Sequence, residues 1–95
     1  MSEEAIKKRQ ARAKSKAIDI LRQAGYEIIR SDNEKVCVIA SRAAEVRIIR
    51  ICVGNVTEND VDLVRYLRFP HITQACREAW CFDGKDFIIQ EISVN

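Results

Sequence analysis

Residues 45 to 53, Glu-Val-Arg-Ile-Ile-Arg-Ile-Cys-Val, limit what this chain can fold into more than any other segment. Beyond its first turn the run is apolar at nearly every position and rich in β-branched side chains, which predicts an interior strand covered on both faces. A strand of that kind needs an apolar layer above and another below, so the rest of the chain has to supply two covering elements. Arg50 is the exception within the run. A long cation among Ile48, Ile49, Ile51 and Cys52 has to pair, reach water or line a pocket, because leaving it buried and unpaired costs too much.

Two segments have the pattern to provide those layers. Residues 3 to 24 contain no Gly or Pro, and Ile6, Ala13, Ala17, Ile20 or Leu21, and Ala24 recur at helical spacing. Gly25 follows the last of them, where a helix-ending left-handed residue belongs. Later, Thr57 has the character of an N-cap, with Glu58 and Asp60 in the first turn behind it, a core stripe of Val61, Val64, Leu67 and Leu63, and Pro70 as a stop. Between and after the helices, residues 26 to 30, 36 to 40, 78 to 82 and 87 to 92 read as strands. Asp83-Gly84 is a hairpin signal between the last two. The predicted order is helix, three strands, helix, two strands: a single α/β domain over residues 1–95, with a mixed central β-sheet flanked by helices.

Composition narrows the functional classes. With 47% apolar and 32% charged residues, one Pro and three Gly, the chain suits a compact fold and not a disordered one. Its start lacks an apolar signal core and no run approaches the roughly 18 apolar residues of a membrane span, so a cytoplasmic location without membrane association is expected. The net charge of +2 conceals an asymmetry, since residues 1 to 22 carry seven Lys or Arg against three Asp or Glu. Lys8, Arg12 and Lys16, four residues apart, line one exposed helix face, either to meet a phosphate backbone or simply as a solvated surface. Cys37, Cys52, Cys76 and Cys81 are spaced by 15, 24 and 5 residues, which excludes the close pairs of zinc ribbons and redox motifs. Apolar flanks predict buried, reduced thiols.

The element order resembles the restriction-endonuclease-like αβββαββ fold, and within it the archaeal-type Holliday junction resolvases and related PD-(D/E)XK nucleases. The resemblance runs over residues 10 to 92. It is carried by Ile20-Leu21-Arg22-Gln23-Ala24-Gly25-Tyr26, the hairpin from Val36 through Cys52, and Arg77-Glu78-Ala79-Trp80-Cys81-Phe82-Asp83-Gly84. In that family the first hairpin strand opens with a metal-binding Asp, where Cys37 stands here. The second carries Glu or Gln, one apolar residue and Lys, matched by Arg50-Ile51-Cys52. A further acidic residue of the first helix corresponds to Lys14. Carboxylates at those places hold Mg²⁺ and the Lys orients or activates a water. Basic residues at carboxylate positions repel such a cation, so the resemblance implies a degenerate catalytic motif without a resident metal.

The leading expectation is therefore an inactive nuclease-like domain that binds DNA or another nucleic acid through the basic helix and the former metal pocket, by way of Lys8, Arg12, Lys14, Lys16 and Arg50. A second is a protein-interaction or homodimerisation module, with Trp80 or the cluster of Tyr66, Phe69, Pro70 and His71 as its surface. A third is an active Mg²⁺-dependent endonuclease whose site has moved to Glu45, Asp32, Glu34 and Asp19. A fourth joins Cys37 and Cys52, with His71 as a third ligand, around zinc or in an oxidised pair.

Overall fold

The computed structural model describes residues 3–32, 37–68 and 74–93. The elements follow in the order α1 (Glu3–Gln23), β1 (Glu27–Asp32), β2 (Cys37–Arg42), β3 (Glu45–Val53), α2 (Glu58–Tyr66), β4 (Cys76–Phe82) and β5 (Phe87–Glu91). The five strands form one sheet in sequence order, antiparallel throughout except for the parallel pair β3 and β4. A parallel pair cannot be closed by a tight turn, and α2 supplies the crossover between its two strands.

Strand alternation sorts the core into two layers. On one face Val38, Ala40, Ile49, Ile51, Trp80 and Phe82 pack with Ala13, Ala17 and Leu21 of α1. On the other, Cys52, Ala79 and Cys81 pack with Val64 of α2 and with Ile92. Ile48, Ile49 and Ile51 have no exposed surface, so β3 is covered on both sides as its composition predicts.

α1 ends as its sequence directs. The Gly25 amide donates to the Arg22 carbonyl at 3.0 Å and the Tyr26 amide to the Leu21 carbonyl at 2.9 Å, with Gly25 at φ 91°. This is the Schellman arrangement, and its usual apolar contact is present because Leu21 and Tyr26 belong to the same core cluster. α2 opens with a full capping box, in which the Thr57 hydroxyl accepts from the Asp60 amide and the Asp60 carboxylate accepts from the Thr57 amide. It closes at Leu67, before Pro70 is reached; Pro70 and the expected cluster members Phe69 and His71 lie outside the described residues. Its last carbonyls, those of Val64 and Leu67, accept from the guanidinium of buried Arg77 on β4. The β4–β5 connection is a four-residue loop in which Asp83 Oδ1 accepts from the amides of Lys85 and Asp86, both at 2.8 Å.

Candidate functional site

The positions expected to form a pocket separate between the two faces. Cys37 is the direct cross-strand partner of Arg50, and Cys52 follows two residues along β3, so these three side chains share the face under α2. Lys14 belongs to α1, which packs on the opposite face, and it is engaged within the fold. The basic residue of the helix and the basic residue of the strand therefore do not meet.

Arg50 resolves its burial through a carboxylate on α2. Its Nε donates to Asp60 Oδ1 at 3.0 Å, and the two side chains retain only 16% and 13% of their surface. The same Asp60 serves the capping box, so one carboxylate closes the helix start and neutralises the strand cation. Burial acts to raise the Asp60 pKa. The Thr57 amide and hydroxyl together with the Arg50 guanidinium outweigh it and hold the carboxyl below its ordinary value. Arg50 Nη1 has no hydrogen-bond partner.

Cys52 sits opposite Cys81 across the parallel pair, and burial pushes its thiol up to about 12, aided by the nearby Asp60 charge. Burial also raises the Cys81 thiol. Protonated thiols and a guanidinium already paired to the local carboxylate do not fit Mg²⁺, which requires free oxygen donors. Among the described residues no group of three or more His, Cys, Asp or Glu could hold a metal ion. A reactivity difference follows. A thiol-specific reagent at neutral pH should label exposed Cys76 rapidly, whereas Cys37, Cys52 and Cys81 should react only after denaturation. Rapid labelling of a second thiol in the native protein would contradict the burial of Cys37, Cys52 and Cys81.

The acids proposed as a relocated site are dispersed or occupied. Asp19 is exposed on α1, the Asp32 side chain and all of Glu34 lie outside the described residues, and Glu45 belongs to a polar network on the α1 face. Glu45 accepts from the Tyr26 hydroxyl at 2.8 Å and pairs with Arg47 at 2.9 Å. Arg47 reaches on to Glu78 at 3.1 Å, and Glu78 accepts from the Trp80 indole at 3.2 Å. The Tyr26 hydrogen bond, then that of Arg47, hold the Glu45 carboxyl below its usual value. Trp80 is 4% exposed and belongs to the core, while Tyr66 is exposed.

A different cleft gathers unpaired cations. Arg9 and Arg12 of α1 line it with Val53 and Gly54 at the end of β3 and Phe82, Asp83 and Gly84 at the end of β4, enclosing about 440 Å³. It opens beyond the carboxyl ends of the parallel strands, the usual location of ligand sites in open α/β sheets. Its floor is apolar, and Lys16 stands over the Phe82 ring at 5.3 Å while donating to the Lys85 carbonyl. The Asp83 carboxylate is taken up by the amides of its own turn, whose donation keeps its pKa below the ordinary value. Lys8, Arg9 and Arg12 enter no ion pair among the described residues. Arg9 is absent from the residues that four-residue spacing selects. At 100° per residue it lies between Lys16 and the buried stripe, and that angle is the signal that would have found it.

Comparison with family models, with curated proteins and with solved structures gives no match for this chain.

Proposed function

We propose that this chain is a non-catalytic, nuclease-like domain that binds nucleic acid along the basic flank of α1. The reading rests on one contrast in the charges. Arg50, in the strand, is neutralised by Asp60, whereas Lys8, Arg9 and Arg12 lie unpaired along one flank of α1, with Lys16 bordering the cleft at the strand ends. Cations left without protein partners attract phosphates and release counterions when they bind them. Phosphate contacts of this kind position a nucleic acid without reading its sequence, and the cleft beside Arg9 and Arg12 adds concave surface to the row.

The αβββαββ order supports the nuclease-like part of the reading, and the chemistry of the strand positions supports the loss of cleavage. By the resemblance, Cys37, Arg50 and Cys52 match the metal-ligand and Lys positions and Lys14 a fourth; Lys14 lies on the other face, so the loss of cleavage rests on two buried thiols and a guanidinium already paired to Asp60.

Titration of a labelled duplex, a single strand and a four-way junction at several salt concentrations tests the proposal. Binding should weaken steeply with salt. Neutralising Lys8, Arg9 and Arg12 to Gln should lower the slope of log K against log salt by about 0.9 for each duplex phosphate contact removed. Arg50→Met combined with Asp60→Ala, which removes the buried pair together, should leave the affinity within about twofold, since the Arg50 charge is already neutralised within the fold. Absence of binding at low salt would remove the nucleic-acid reading, and cleavage in the presence of Mg²⁺ or Mn²⁺ would remove the non-catalytic one.

A further inference from the structure

The cleft at the ends of β3 and β4 has a size and a chemistry that a duplex backbone alone does not use. It encloses about 440 Å³, the scale of a small-molecule site and far too little for a base pair with both of its backbones. Gly54 and Gly84 border it without side chains, and a Cβ at either position would meet no atom within 4 Å, so the space above the strand ends is open. Both hold left-handed backbone, at φ 86° and 104°, which disfavours any larger residue there.

The lining divides into two parts. Val53, half-buried against the core, and Phe82, with 8% of its surface exposed, make an apolar floor. Arg9 and Arg12 border that floor from α1, both exposed and both without an ion pair among the described residues. Asp83, the acid of the lining, is turned into its own loop, where Oδ1 accepts from the amides of Lys85 and Asp86. An apolar floor beside two unpaired guanidinium groups suits a ligand that is flat and apolar at one end and anionic at the other. A nucleotide has that form, with its base for Val53 and Phe82 and its phosphate for Arg9 and Arg12. A base within a continuous duplex is stacked and paired and does not reach such a cleft.

We propose, on the basis of the nucleic-acid reading above, that the cleft seats one unpaired nucleotide of a strand, so that the protein selects gaps and single-stranded segments over continuous duplex. The occupant belongs to a strand because the cations continue past the cleft. Lys8 and Lys16 lie on either side of the Arg9 and Arg12 pair, about 12 Å apart along the helix axis, where the neighbouring phosphates of a strand can meet them. A free nucleotide leaves both unused.

Fluorescence anisotropy at one low salt concentration tests this with three labelled ligands: a continuous duplex, the same duplex with a short gap in one strand, and that gapped duplex with its exposed nucleotides lacking their bases. The gapped duplex should bind about tenfold more tightly than the continuous one, the scale on which a base seated against the protein contributes. The abasic gap should lose this advantage, although it keeps the phosphates and the flexibility of a gap. Arg9→Gln combined with Arg12→Gln should bring the gapped and continuous duplexes to within about twofold of each other. Lys8→Gln, outside the cleft, should weaken both alike and leave their ratio unchanged. All three positions are exposed, so circular dichroism of these variants should match the parent. Adenosine monophosphate should compete about 100-fold more weakly than the gapped strand, since it cannot engage the flanking cations. Equal affinity for gapped and continuous duplexes overturns the seated nucleotide and leaves the nucleic-acid reading standing, whereas absence of binding to either removes both. An abasic gap bound as tightly as the intact one also overturns it, as does a free nucleotide that competes as strongly as the strand.

Discussion

Asp60→Ala is expected to destabilise the domain by about 3–5 kcal/mol, the range found when one member of a buried ion pair is removed. Two losses combine. The capping box loses its carboxylate, worth about 1 kcal/mol at a helix start. Arg50, whose Nη1 has no hydrogen-bond partner, loses its counter-charge in a setting where its side chain is 16% exposed. Urea unfolding followed through the single Trp, buried Trp80, provides the measurement. Arg50→Met in the Asp60→Ala background should recover most of the loss, since no charge is then left uncompensated. A loss below about 1 kcal/mol for Asp60→Ala would mean that Arg50 reaches solvent and that the pair does not hold α2 to β3.

The same pair makes stability depend on pH. The Asp60 carboxyl titrates below its ordinary value in the folded state, so its contribution is complete above the unfolded-state pKa. It is lost as the pH falls through the folded-state value. Stability should therefore drop on the acid side of the ordinary carboxylate range, and Asp60→Asn should flatten part of that drop.

The second large effect belongs to the opposite face. Glu78 is 12% exposed in its side chain and holds both Arg47 and the Trp80 indole. Glu78→Ala leaves a buried indole N–H without its acceptor and Arg47 with Glu45 alone, at an expected cost of about 2–4 kcal/mol. Glu78→Gln keeps an acceptor for the indole and should cost less. Trp80 fluorescence reports both the stability and the altered surroundings of the ring. Equal costs for the two variants would show that the charge, and not the indole hydrogen bond, is what the network requires.

How much of this was legible in the residues varies from place to place. The run through β3 announces its double burial by composition, and the helix ends announce themselves by Gly25 and Thr57, because caps and alternation are local consequences of backbone geometry. That Arg50 had to pair, reach water or line a pocket was equally plain. The partner was not, since it depends on where α2 lands after its crossover, ten residues away in sequence. Arg47 and Glu78 are 31 residues apart, and nothing in their neighbourhoods advertises the contact.

The functional row on α1 shows the same division. Lys8, Arg12 and Lys16 stand out by spacing, but which cations remain unpaired is a property of the packed molecule. Lys14 and Arg50 were expected to share a pocket and fall on opposite faces, since strand alternation and helix placement together assign the face.

By itself, then, the sequence determined the elements, their order and the demand that β3 be covered twice, because each follows from local periodicity and from the cost of burying polar groups. Packing in three dimensions settles which carboxylate meets which guanidinium and which thiols disappear from solvent. Those outcomes depend on distances between residues remote in the chain, and no local rule of the backbone carries that information.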